Sequence, residues 1–319
     1  MRIKERKAIA APVDPEALAA VLRPFRQGVG LPAECYTSEE VLSWEREHFF
    51  EASWMCVGRS PGSEPGRNER DWRGWRFANA SGDAMAFERH LGHMDEYLEP
   101  YAPEELVVGA RHTYEIAANW KLVVENYCEC YHCSEIHPEL CRVTPPESSR
   151  GLPHDGLYVS GPMELREEAE TMSLDGVSHG IPLPGLSGRH LREVGYIALW
   201  PNFLISPHPD YVLAHRLEAL DPGRSRIECE WLFPPELVQR EDFDPAWAFD
   251  FWDVTNREDW QACDSLQRGA GSRGFRPGPM SAFWEAGVYM WVTMVARGYL
   301  EGRVTEGTPI PREWTPLAG

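Results

Sequence analysis

No stretch of this 319-residue sequence approaches 18 consecutive apolar residues, so no membrane-spanning helix is expected. Basic side chains are in deficit: 31 Lys and Arg stand against 50 Asp and Glu, for a formal net charge of -19. Such a chain repels a phosphate backbone or an anionic lipid surface, which removes nucleic acid and membranes from the expected partners. The opening residues "MRIKERKAIAAPVDPE" begin basic but reach Pro12 and Asp14 before any apolar core of signal-peptide length, and a cytoplasmic location is expected. Cysteine is sparse: there are eight, with Cys128, Cys130 and Cys133 close together, unlike the dense framework of a small secreted domain, and free thiols are expected. No internal repeat is present.

What is there is enough for one large domain or two ordinary ones, with well over half of the unfolded surface buried. Asp14 as N-cap and Pro15 at the first helical position open a helix through Leu18, Val21 and Leu22. A second is expected from Thr37, with Glu40 three residues on as a capping box, through Val41, Trp44, His48 and Phe49 towards Trp54. Residues 59–71, "RSPGSEPGRNERD", carry two Pro-Gly pairs and many charges and read as an exposed linker. Trp75 and Phe77 alternate with Arg76 as in a half-buried strand, and Tyr114 and Ile116 mark another. Residues 144–193 are irregular and rich in Gly, Pro and Ser. From Val194 to Phe233 the pattern is a strand meander, with a turn at "DPGRS". Asp244 and Pro245 start a long helix, and a last one runs from about Ala282 to Leu300. The expected class is α+β, an antiparallel sheet flanked by long helices.

One segment, "NWKLVVENYCECYHCSEIHPEL" from Asn119 to Leu140, sets three cysteines and two histidines among glutamates. It contains Glu129-x2-His132-x4-His137. On a helix Glu129 and His132 share a face, whereas residues five apart point about 140° away from each other. Both imidazoles reach one ion only if the helix ends or distorts between them, and Pro138 makes an end there plausible. Otherwise each histidine is an ordinary surface or core residue. Cys130-x2-Cys133, with Cys128 and His132 beside it, also has the spacing of a zinc knuckle or a redox pair, but no second cysteine pair exists, and packing as small apolar groups is the simpler use. Two imidazole ligands that activate oxygen need one carboxylate and open positions. The long helix offers Glu258, Asp259 and Asp264, among which spacing alone does not choose.

The segment resembles the iron-binding stretch of the large subunits of Rieske-type non-haem iron oxygenases, the aromatic-ring hydroxylases and their relatives acting on quaternary amines. The resemblance implies a mononuclear Fe(II) on His132, His137 and, through "NREDWQAC", Asp259. It implies that Glu129 links the iron site to an electron donor in a neighbouring subunit, and that Asn126 lies near the metal. It runs from about Cys35 to Arg297 and implies a helix-grip, START-like sheet wrapped over a long helix.

Such subunits also carry a [2Fe-2S] Rieske domain between the early helix and the strand "WRGWRFAN", with Cys-x-His and Cys-x2-His knuckles. Here the only Cys-x-His is Cys130-x-His132, no Cys-x2-His occurs, and residues 59–71 stand where that domain would be. The expected organisation is therefore an N-terminal helical segment (1–58), a linker replacing the Rieske domain (59–71) and a mononuclear-iron domain (72–319), with no cluster. Iron there would hydroxylate or oxidatively demethylate a small organic substrate, with O2 or with peroxide, which brings its own electrons. The resemblance also suggests a homotrimer and a separate Rieske or reductase protein as partners. A non-enzymatic small-molecule binder on the same scaffold, or a degenerate relative, is the alternative; a zinc hydrolase with Glu129 as base is a third. For the pocket, residues 144–220 and the last two helices offer Trp200, Phe203, Trp252 and Tyr289, walls that suit a flat ring or a methylated ammonium. Glu129 in place of an aspartate, with the overall resemblance, points towards amines.

Overall fold

A computed structural model describes residues 9–151 and 155–307. The ends of the expected outer segments, residues 1–8 and 308–319, lie outside them. Helix α1 (Pro15–Val21) starts as its sequence predicts, with the Asp14 carboxylate accepting the Glu16 N–H at 3.0 Å. The next helix starts one residue later than expected. Ser38, not Thr37, caps α2 (Glu39–Glu45) by accepting the Val41 N–H at 3.3 Å, while the Thr37 hydroxyl donates to the carbonyl of Ala33 at the end of a preceding helical turn. A π-helical turn, Arg46–Phe50, extends α2.

Strands β1 (Met55–Arg59), β2 (Glu69–Trp72) and β3 (Trp75–Ala78) form a small antiparallel sheet in the order β1-β3-β2. Residues 61–68 between β1 and β2 are exposed, as the composition suggests, but both ends of the 59–71 segment are strand. Arg76 is buried along with its neighbours rather than facing solvent, because its guanidinium is paired with Asp71 at 2.7 Å and Glu69 at 3.3 Å on β2.

The main sheet is six antiparallel strands: β4 (Val107–Ile116), β5 (Tyr158–Ser160), β6 (Ile197–Leu199), β7 (Phe203–Pro207), β8 (Val212–Asp221) and β9 (Arg224–Phe233), in the order β4-β9-β8-β7-β6-β5. Between β4 and β5 lie, among the described residues, the α-helices α3 (Trp120–Tyr127), α4 (Cys133–Ile136) and α5 (Pro138–Val143), then a 3-10 turn, Pro146–Ser148. Two long helices follow the sheet, α6 (Ala246–Ala270) and α7 (Ala286–Glu301), the latter starting four residues after Ala282. The α+β reading holds. No described helix is long and apolar enough to cross a membrane.

Both faces of the sheet are covered, so its strands bury both side-chain sets. Leu204, Leu213, Leu217, Ile227 and Trp231 join the core built with α3, α6 and α7. Phe203, Ile205, Val212, Ala214 and Leu232 join a second core with Trp75 and Phe77 of the small sheet.

One buried carboxylate joins three helices of the first core. Glu45 on α2 accepts from the Lys121 ammonium at 2.6 Å and the Trp120 indole N–H at 2.9 Å, both on α3, and from the Tyr299 hydroxyl on α7. Neither Glu45 nor Lys121 has exposed side-chain surface. Removing one partner of such a pair leaves the other charge buried and uncompensated, at a cost of about 3–5 kcal/mol. We expect Lys121→Met to lower the unfolding free energy by about that amount in urea titration; a loss below about 1 kcal/mol would mean that water or another group compensates Glu45.

Candidate metal centre

The Asn119–Leu140 segment is not one helix. Asn119 caps α3, its side chain accepting the Lys121 N–H at 3.0 Å, and α3 ends at Tyr127. The carboxylate of Glu129 then takes the backbone N–H groups of Tyr131 and of His132, the latter at 3.3 Å, and so replaces the helical carbonyl partners with a side-chain cap. The chain re-enters a four-residue helix, α4, with His132 as its N-cap and His137 as its C-cap, and Pro138 opens α5 in a new direction. The break falls before the first histidine as well as after the second. Gly287 at the start of α7 packs on this break: a β-carbon there would collide with the carbonyl of Cys128.

The result brings His132 and His137 together with Asp259 of α6, with one ligand-type atom of each lying within 4.8 Å of the others. Both imidazoles aim Nε2 at the same carboxylate oxygen, Asp259 Oδ1, at 3.3 Å from His132 and 2.9 Å from His137. The rings are 5.0 Å apart and nearly perpendicular, at 80°. Each Nδ1 is held from behind by a glutamate: Glu129 Oε1 lies 2.5 Å from His132, and Glu258 Oε2 lies 2.8 Å from His137. Asn126 Nδ2 is 3.4 Å from His132 Nε2. Of the three candidate acids on α6, Glu258, Asp259 and Asp264, only Asp259 faces both Nε2 atoms. Glu258 is behind His137, and Asp264 pairs with Arg268 at 3.0 Å one turn further on.

Burial works against charge on both imidazoles, but Asp259 and Glu129 outweigh it at His132, which is pushed up to about 10; Asp259 and Glu258 likewise raise His137. Burial also opposes ionisation of Asp259, yet the hydrogen bonds from His132 and His137 hold its carboxyl well below the usual range. Two Nε2 donors and one carboxylate converging on a point, each imidazole oriented from behind, fit a divalent metal that prefers nitrogen and oxygen ligands.

Sulfur does not contribute to this cluster. Cys130 and Cys133 are joined in a disulfide, with Cα atoms 4.9 Å apart, so the expectation of free thiols throughout does not hold. The other six cysteines are free, as expected.

Beside the cluster lies a cavity of about 720 Å³. Of the four aromatics that the sequence put forward for its walls, only Trp252 lines it. Trp200 packs against Trp291 and Phe49, Phe203 lies on the opposite face of the sheet against Trp75, and Tyr289 donates to the carbonyl of Arg23. Tyr127, Tyr196, Trp260, His215 and Asn256 line the cavity instead. Tyr127 was visible next to Asn126 in the motif; the others carry no local signal. The irregular segment does contribute wall, from Pro146 to Gly151.

The family model for the ring hydroxylating alpha subunit (catalytic domain) matches residues 103–301. The glycine betaine monooxygenase oxygenase subunit of Chromohalobacter salexigens is 28% identical over 265 residues, 70% of this chain and 58% of that protein. The carnitine monooxygenase oxygenase subunit of Acinetobacter pittii is 37% identical over 211 residues, 65% of this chain and 53% of that protein. The chain thus spans little more than half the length of these relatives. Among solved structures, a quaternary ammonium Rieske monooxygenase superposes with a TM-score of 0.71 at 17% identity, covering 91% of this chain and 100% of that one. Naphthalene 1,2-dioxygenase from Rhodococcus superposes with a TM-score of 0.58 at 14% identity, covering 86% and 93%. At these identities the structures establish the fold alone.

The geometry separates the acids by experiment. Asp259→Ala should abolish stoichiometric Fe(II) uptake in equilibrium dialysis with circular dichroism unchanged, whereas Glu258→Gln should weaken it by about 10- to 100-fold by releasing His137 from behind. Full uptake by Asp259→Ala would move the carboxylate role to Glu258.

Proposed function

The chain belongs to the ring hydroxylating alpha subunit family, through its catalytic domain, and we propose that it works as a mononuclear non-haem iron oxygenase domain on a quaternary ammonium substrate. The observation that carries this is the convergence of His132 Nε2 and His137 Nε2 on Asp259 Oδ1 beside a large cavity. In this reading His132, His137 and Asp259 hold Fe(II), which supplies the capacity to activate O2 or peroxide. The six-stranded sheet with α6 across its face supports the helix-grip reading of the fold.

The remaining residues orient and select. Glu129 and Glu258 fix the two ring planes through Nδ1, and Asn126 places an amide against the His132 edge. Tyr127, Tyr196 and Trp252 form an aromatic wall suited to a methylated ammonium, consistent with relatives named for glycine betaine and carnitine. Oxidation at an N-methyl carbon with peroxide balances as trimethylammonium plus H2O2 giving dimethylammonium, formaldehyde and water. With O2, two electrons and two protons are needed as well. No Rieske-type knuckle occurs within these 319 residues, so a separate Rieske or reductase protein is the electron source in this reading, and a homotrimer its assembly. A bare ligand-binding domain gains nothing from two oriented imidazoles and a carboxylate in register, which disfavours that alternative.

Purified protein loaded with Fe(II) should hold about one iron per chain and no acid-labile sulfide, and should release formaldehyde from glycine betaine with peroxide. No product from any methylated amine, with peroxide or with a Rieske protein and reductase, leaves the binder in place. Glu129→Gln should lower the peroxide reaction by about 10- to 100-fold and nearly stop the reductase-driven one. Equal and complete loss in both assays would make Glu129 a ligand or a catalytic acid.

A further inference from the structure

The cavity lining has few cationic side chains. Glu129, Glu147 and Asp259 line it, and among the described lining residues Arg150 is the one guanidinium or ammonium. Lys121, close in sequence to the motif, is sealed away against Glu45. A negative group on a ligand therefore finds one permanently cationic side chain in the described lining, while the aromatic faces are left for a positive one.

Arg150 is held for such a role. Its Nη2 is paired with Glu193, whose side chain is 2% exposed against 19% for Arg150, and Glu193 in turn accepts from the Tyr97 hydroxyl at 3.2 Å. The buried acid fixes one end of the guanidinium, and the planar fork has further N–H groups to present to a carboxylate. Its backbone is fixed as well, the Arg150 N–H donating to the carbonyl of Pro162 at 3.1 Å. The preceding residue, Gly161, donates to the carbonyl of Tyr196 at 2.9 Å. Tyr196 stands 5.7 Å from Tyr127 and 6.2 Å from Trp252, ring to ring. Those two rings are locked by their polar edges: the Tyr127 hydroxyl bonds Ser206 at 2.8 Å, and the Trp252 N–H donates to the Tyr211 hydroxyl at 2.7 Å. Arg150 is thus tied through the backbone at 161–162 to the segment that carries Tyr196, and Arg150, Tyr127, Tyr196 and Trp252 all line the same cavity.

We propose that Arg150 is a specificity-determining residue that reads a carboxylate on the substrate, so that the site takes zwitterionic carboxylated quaternary amines in preference to amines bearing only a hydroxyl. This rests on the amine reading above and goes beyond it by choosing within the class. Glycine betaine and choline are matched probes: they share the trimethylammonium head and differ in a carboxylate against a hydroxymethyl group.

Binding of each is measured by titration calorimetry to the wild-type chain, to Arg150→Gln and to Arg150→Lys. A charge-assisted hydrogen bond lost from an enclosed site is expected to weaken glycine betaine by about 10- to 100-fold in Arg150→Gln, with choline changed by less than about threefold. Arg150→Lys keeps the charge and the Glu193 pairing and should recover part of the loss. Equal weakening of both probes in Arg150→Gln would assign Arg150 a structural role and overturn the proposal, as would unchanged glycine betaine binding. If the wild-type chain binds choline as tightly as glycine betaine, the amine reading survives and the Arg150 assignment fails. If it binds neither, both fail.

Discussion

Two imidazoles five residues apart on a continuous helix cannot face one point, because each residue turns the side-chain direction by about 100°. The site depends on how the chain escapes this constraint. It does so by leaving the helix at Tyr127, capping the next turn with the Glu129 carboxylate and using the two histidines as the ends of a single turn, α4. His132 keeps helical backbone angles at the start of this turn, whereas His137 at its end departs from them, at φ -116° and ψ 68°, and that departure re-aims the second imidazole. Glu129 therefore has two structural tasks at once: one oxygen shapes the backbone, and the other holds His132 Nδ1.

A broken helix is soft unless its surroundings fix it, and here the fixing is done from both ends. Upstream, α3 is anchored through Lys121 and Trp120 to the buried Glu45, and through Glu125 to the Tyr36 hydroxyl at 2.9 Å; burial pushes the Glu125 carboxyl up to about 7. Downstream, Gly287 lets α7 approach the Cys128 carbonyl more closely than any other residue could. The third donor, Asp259, comes from a 25-residue helix whose Trp260 and Phe249 pack against Tyr114 and Trp231 of the sheet.

Much of this was legible in the sequence, and the limits have physical reasons. The α+β class, the long helix after Asp244 and the meander from Val194 to Phe233 follow from periodicity. The meeting of the two histidines followed from a motif, since their spacing is local. The choice among Glu258, Asp259 and Asp264 was not legible from periodicity because all three lie on one amphipathic helix, and which one faces the histidines depends on the rotation of α6 against α3. The aromatic lining was misjudged for a similar reason. Phe203 and Leu204 are adjacent on β7, and the pleat sends one to each core; a sheet covered on both faces gives no polar side to reveal which is which. Thr37 lost the N-cap to Ser38 because the two are near-equivalent caps in sequence and the preceding turn had already claimed Thr37.

The electrostatics connect the metal centre to the cavity. Three carboxylates, Glu129, Glu258 and Asp259, surround two imidazoles that are both raised in pKa, so the protein's own field favours positive charge at this point whether it comes as protons or as an ion. His132 and His137 would hold a divalent cation through their Nε2 atoms only after giving up protons there, so in the proposed reading metal uptake would weaken as the pH falls. The same excess of carboxylate extends into the cavity through Glu129 and Glu147, where it meets the aromatic faces of Tyr127, Tyr196 and Trp252. A permanently charged ammonium carries no proton to lose and so benefits from this field at every pH at which the acids are ionised. A neutral ring gains only the contact area. In the proposed reading one electrostatic bias would serve both the ion and a cationic ligand.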